Sequence, residues 1–135
     1  MKVLIDTGAL LALFLKNDRH HQRAAAFARA RPDLRYVLTN LILAETVTRL
    51  RARAGAAQAV AVGRSLLEAQ RYEVLFADAP LVASALARME QFSDKRLSLT
   101  DCVSFEFMDR LQITRAFAFD DDFRLCGYLA LPEAG

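Results

Sequence analysis

The chain has 135 residues, 54% of them hydrophobic and 25% charged, a balance that excludes a disordered or fibrous polymer and suits one domain with a real core. Its net charge of +2 excludes a simple polycation, and no apolar run approaches the ~20 residues of a membrane-spanning helix. Cys102 and Cys126 lack a CxxC or other metal-like spacing, which points to reduced, packed thiols of a cytoplasmic protein. Asp6 interrupts the opening apolar run too early for a secretory signal, so the start reads as mature protein.

The first element is Val3-Leu4-Ile5, an apolar run without alternation, as in a strand buried on both faces of a parallel sheet. It stops at Asp6; Thr7 and Gly8 are cap and turn types, and Ala9 to Leu15 reads as a helix. Lys16-Asn17-Asp18 breaks the pattern. Arg19 to Arg31 follows as a second helix, with His20 and His21 in its first turn, expected to be exposed or locally bonded. Tyr36-Val37-Leu38 is a second strand ending in Thr39 and Asn40. Leu41 to Ala54 is a helix stopped by Gly55, and Ala56 to Gln70 another. Glu73 to Phe76 gives a third strand and Ala79 to Gln91 an amphipathic helix. After a polar loop over Ser93 to Arg96, Thr100 or Asp101 opens a further helix. Ala116 to Phe119 forms a strand running into Asp120-Asp121-Asp122, and Tyr128 to Leu131 is the last strand. Alternating strands and helices imply an α/β fold: a mostly parallel central sheet with helices on both faces. No linker, low-complexity tail or repeat divides the chain, so one domain over residues 1–135 is expected.

Four acids stand at comparable places in this pattern. Asp6 and Asp120 end strands, Asp101 lies at a helix start, and Glu45 sits within the apolar face of the helix after the second strand. Each has a structural role open to it: capping for the aspartates, and an i,i+4 pair with Arg49 for Glu45. In a parallel sheet, however, strand ends and the following helix starts share one edge, so the four can converge. Converging carboxylates repel and need cations at neutral pH. An all-oxygen set without His or Cys suits Mg²⁺ or Mn²⁺ rather than zinc. The basic residues are nearly all arginine, the side chain best shaped for phosphate; Arg49, Arg51 and Arg53 cluster, where cations also favour a helix C-terminus.

The order LIDTGALLAL, TNLILAET, LSLTDC, then FAFDDDF followed by GY resembles the PIN-domain family, and most of all the compact VapC-type toxins of bacterial toxin–antitoxin pairs. The resemblance runs from Val3 to Pro132. It implies a parallel sheet sandwiched by helices and an acidic cleft that binds Mg²⁺ or Mn²⁺ and cleaves RNA. Carried over by residue, it makes Asp6 and Asp101 the strongest metal-binding aspartates, with Glu45 and Asp120 completing the catalytic set. Asp122 competes with Asp120 for the last place, and Thr7 and Thr100 match supporting hydroxyl positions. It further implies a cytoplasmic ribonuclease, an antitoxin partner, and a homodimer. One metal ion or two stays open.

Other classes fit less well. A haloacid-dehalogenase-like phosphatase needs a second aspartate where Gly8 stands, and a response receiver needs an acidic pair and a late lysine that are not evident. A PIN-type RNA-maturation nuclease and a non-catalytic binding module remain the alternatives within the family.

Overall fold

The computed structural model describes residues 1–133. In chain order the elements are β1 (Lys2–Ile5), α1 (Thr7–Phe14), α2 (His21–Ala30), β2 (Arg35–Thr39), α3 (Asn40–Ala54), α4 (Ala56–Glu68), β3 (Tyr72–Leu75), α5 (Ala79–Gln91), α6 (Leu99–Leu111), β4 (Arg115–Phe117), α7 (Asp122–Leu125) and β5 (Leu129–Leu131). The five strands lie in the order β3-β2-β1-β4-β5, and every pairing is parallel. β1 is the central strand: Leu4 stands opposite Val37 on one side and Ala116 on the other. Val3, Leu4 and Ile5 are each 0% exposed, so both faces of the strand are covered, as its unbroken apolar run requires.

Most boundaries follow local chemistry. Asp6 caps α1 by accepting from the Ala9 N–H, Thr39 caps α3 by accepting from Ile42, and Asp78 caps α5 ahead of Pro80. Gly55, at φ +88°, ends α3 in a region that a side chain would strain. On α2, Arg71 donates to the carbonyls of Ala28 and Arg31, and also to Leu34 and the Tyr36 hydroxyl. One guanidinium thus satisfies exposed carbonyls at a helix end and ties them to the start of β2.

Several element ends shift by one or two residues from the sequence reading, and α7 is a short helix that the reading lacks; three of the shifts bear on the site. β4 ends at Phe117 rather than Phe119, so Asp120 does not directly follow the strand. α6 begins at Leu99 because Ser98 and Asp101 form a reciprocal capping box, which puts Thr100 and Asp101 inside the first turn. α2 begins at His21, with His20 ahead of it and making no side-chain cap. Cys102 and Cys126 are both free thiols. Among the described residues no helix is long and apolar enough to cross a membrane.

Candidate active site

Strand order reverses around β1: the chain moves outward through β2 and β3, then returns to place β4 on the other side. The crevice beyond the carboxyl ends of β1 and β4 is where open α/β sheets hold ligands. Asp6 enters it directly from β1, and Asp120 from the loop after β4. Glu45 arrives from α3 and Asp101 from the first turn of α6. With Asp122, Thr7 and Thr100 they line one cleft of about 240 Å³. Every acid and hydroxyl singled out in the sequence is in this cleft; Asp121 is not, and pairs with Arg124 instead.

The three aspartates share a geometric feature. Asp6 Oδ1 accepts from the Ala9 N–H at 2.8 Å, Asp101 Oδ2 from the Ser98 N–H at 3.1 Å, and Asp120 Oδ1 from the Asp122 N–H at 3.1 Å. Each carboxylate is therefore oriented by one oxygen, while the other has no protein donor among the described residues. Capping and ligation, alternatives for a single oxygen, are compatible for a carboxylate with two. Glu45 is held differently: Oε1 lies 3.6 Å from Arg49 and Oε2 accepts from Thr100 Oγ1 at 3.4 Å. The i,i+4 pair expected of Glu45 is thus present alongside its place in the cleft. Arg49 is more than half exposed, and a pair of this kind contributes only ~0–1 kcal/mol.

Charge in the cleft is under-compensated. Asp6 is 7% exposed, and burial pushes its carboxyl up to about 8 against the opposing Ala9 hydrogen bond, with Asp120, Asp101 and Glu45 adding repulsion. Asp101 is also raised, by burial first and then by Asp122 and Asp120, despite its bonds to Ser98. Asp120 is raised by burial and by its neighbour Asp122. The helix starts under Asp6 and Asp101 offset part of this repulsion.

Hard oxygen donors with spare lone pairs fit a divalent cation such as Mg²⁺ or Mn²⁺, and a cation would relieve the cost of burying Asp6. Thr7 Oγ1 points the same way: it is buried on the cleft wall and has no hydrogen-bond partner among the described residues. The acids surround the crevice without being gathered to one point: among the described residues no three His, Cys, Asp or Glu side chains form a ready-made metal-binding group.

Two cleft residues were missed in the sequence. Ser98 fixes Asp101 through the capping box, and Ser104, one turn on, donates to the Thr100 carbonyl at 3.1 Å. The S-x-x-D spacing of Ser98 and Asp101 was the available signal. Ser104 gives none, since a serine at that place reads as an ordinary helix residue.

Comparison with known proteins identifies the family. The PIN domain family model matches residues 3–127. A Mycobacterium tuberculosis protein described as the 23S rRNA-specific endonuclease VapC20 is 31% identical over 133 residues, spanning 97% of this chain and 99% of its own. The crystal structure of VapC20, described as a Sarcin-Ricin loop cleaving toxin, superposes with a TM-score of 0.87 at 28% identity, covering 94% of this chain and 96% of that one. Two more distant structures share the fold. VapBC2 from Rickettsia felis, bound to a promoter DNA fragment, gives a TM-score of 0.65 at 13% identity over 96% of this chain and 97% of that chain. FitAcB from Neisseria gonorrhoeae gives 0.66 at 12% identity over 96% of each. With its five-stranded parallel sheet, its acidic crevice beside β1 and a family match over nearly its whole length, the chain belongs to the PIN-domain family.

Proposed function

We propose that this chain is a divalent-metal-dependent endoribonuclease, the toxin of a VapBC-type toxin–antitoxin pair, acting in the cytoplasm as one PIN domain over residues 1–135. The observation that carries the reading is the shared geometry of Asp6, Asp101 and Asp120, each anchored by one carboxylate oxygen and free at the other. Likeness to VapC20 supports the substrate class, and a structured loop of large-subunit ribosomal RNA is the first candidate.

Asp6 and Asp101 would hold Mg²⁺ or Mn²⁺, with Asp120 and Glu45 completing the set and Asp122 able to share the place of Asp120. A divalent cation held there would supply Lewis-acid stabilisation of charge on the scissile phosphate and would lower the pKa of an attacking water. The protein's own contribution is orientation. Ser98 fixes Asp101, the Ala9 N–H fixes Asp6, and Thr100 holds Glu45 where it can accept a proton or position water. The Thr7 hydroxyl is placed to donate to an oxygen bound in the crevice.

A toxin of this kind needs a neutralising partner. An antitoxin segment that places a basic side chain among uncompensated carboxylates suits this cleft, and a homodimer is proposed on the same family grounds. The test is cleavage of ribosomes and of a sarcin–ricin-loop oligonucleotide by purified protein with Mg²⁺, Mn²⁺ or EDTA. Metal-dependent scission that disappears in an Asp6→Asn, Asp101→Asn variant supports the proposal. Scission that persists in EDTA or in the folded variant refutes the assigned site.

A further inference from the structure

A second pocket opens off the acidic crevice and shares Asp6, Gly8 and Asp120 with it. Its remaining walls differ in character: Leu11 of α1, Asp18, Arg19 and His20 ahead of α2, Arg53 near the end of α3, and Phe119 from the loop after β4. His20 lies flat on Phe119, with ring centroids 4.3 Å apart and planes within 2°. Arg19 Nε donates to His20 Nε2 at 3.1 Å, and the His20 backbone N–H donates to Asp18 at 2.9 Å, so the imidazole is fixed in its plane. Phe119 is itself braced by Phe117 at 5.9 Å, edge to face.

Helix α3 links the two pockets. Glu45, Arg49 and Arg53 are four residues apart in turn, which places them along one ridge. Glu45 and Arg49 face the acidic crevice, and Arg53 faces the side pocket. Neither Arg19 nor Arg53 is in an ion pair among the described residues, although unpaired carboxylates stand in the adjoining crevice. Unpaired guanidinium groups and a fixed aromatic surface, one step from a phosphate-cleaving centre, are what an unstacked nucleotide requires.

We infer that the Arg19–Arg53–His20 pocket is a subsite for an RNA nucleotide flanking the scissile phosphate. Arg19 and Arg53 hold its backbone phosphate, and the His20–Phe119 stack holds its splayed base. This deepens the nuclease reading and rests on it for the position of the cut. The pocket measures about 250 Å³, below the ~300–1,000 Å³ of a drug-sized site, and suits one nucleotide rather than a folded RNA element. The arginines would set affinity and the stack would favour flexible single-stranded nucleotides.

The probe is a fluorescein-labelled mixed-sequence single-stranded RNA of a dozen nucleotides, titrated by anisotropy with Mg²⁺ present. The protein carries Asp101→Asn throughout, so that the probe is not cut. Adding Arg19→Ala and Arg53→Ala is expected to raise Kd at least tenfold and to lower the slope of log K against log salt by about 0.7, the value for one single-strand phosphate. A control with Arg29→Ala and Arg64→Ala removes the same charge outside both pockets and is expected to change Kd less than twofold. His20→Ala is expected to weaken binding severalfold with the slope unchanged. In the otherwise native enzyme, the Arg19, Arg53 variant should raise KM and leave kcat within about threefold. If that variant matches the control in Kd, slope and KM, the subsite is wrong and the nuclease reading stands. If the native enzyme cuts no RNA but the variant still loses binding, the nuclease reading fails, and the pocket stands as an RNA-nucleotide site without a cut beside it. Absence of any RNA binding overturns both.

Discussion

Helix α6 takes acidic side chains into two different environments. In its first turn Asp101 enters the crevice with Asp6, Asp120 and Glu45, where among the described residues the only cation on the wall is the half-exposed Arg49. Further along, Glu106 and Asp109 meet Arg88 of α5 at 2.7 Å and 2.5 Å, and Tyr128 donates to Asp109 at 2.5 Å. The effects on the carboxyls are opposite. Burial raises Asp101, whereas at Asp109 hydrogen bonds from Tyr128 and Arg88 outweigh burial and lower it. Arg88 also lies over the Phe105 ring at 5.8 Å, so this cluster is a neutralised brace between two helices. Carboxylates gathered without a counter-ion lower stability, and such a cluster makes physical sense where a ligand supplies the missing charge.

The comparison is broken most directly at Asp6. Asp6→Asn keeps the helix cap, because asparagine also accepts from the Ala9 N–H, and removes the buried charge. Cleavage should fall by more than about 100-fold, beyond the 10–100-fold typical of residues that only orient a ligand. Melting of the metal-free variant at pH 8 should occur at a higher temperature than that of the native chain, measured by circular dichroism. Arg88→Ala should do the reverse. Leaving Glu106 and Asp109 without their partner should cost about 2 kcal/mol in a urea titration, less than a fully buried pair because Asp109 is half exposed. Its kcat, measured well below the unfolding midpoint, should stay within about twofold of native.

Ser98→Ala falls between these extremes. It removes the Ser98 Oγ that accepts from the Asp101 N–H, which should cost about 1 kcal/mol, and loosens the first turn of α6 while the Ser98 N–H still holds the Asp101 carboxylate, so kcat should fall less than about tenfold. The smallest effect sharpens the contrast through pH. Asp6 binds its proton more tightly folded than unfolded, between an ordinary value of 3.8 and about 8, so metal-free stability should decline as pH rises through that window. Asp109, held below its ordinary value, contributes stability that is present above that value and lost as pH falls below it. Melting temperatures from pH 3 to 9, with and without Mg²⁺, resolve the two, since Mg²⁺ should flatten only the upper limb.

The order of strands and helices was legible because β1 and β2 are unbroken apolar runs and because Asp6, Thr39 and Gly55 are strong local stop and start signals. The acids were legible because they recur at strand ends and helix starts. What was not legible depends on tertiary contact. β4 stops at Phe117 because its partner β5 is paired only from Leu129 to Leu131, a limit set by the neighbour rather than by the strand's own residues. The start of α6 rests on a reciprocal bond between Ser98 and Asp101, present in the spacing but outweighed there by the polar loop before it. His20, expected to be exposed or locally bonded, does bond to Asp18 and Arg19, but its stack on Phe119 was not legible because that partner lies 99 positions away in sequence. The division of each aspartate into an anchored and a free oxygen cannot be read from residue type.

The most direct test of the account measures cleavage and melting on the same samples: native protein and Asp6→Asn, at pH 8, with EDTA and with Mg²⁺. Mg²⁺ is expected to raise the melting temperature and activate RNA cleavage only in the native chain, while the variant is inactive and more stable than the native chain in EDTA. An Asp6→Asn protein that cuts RNA at the native rate, or a native chain whose melting is indifferent to Mg²⁺, would contradict it.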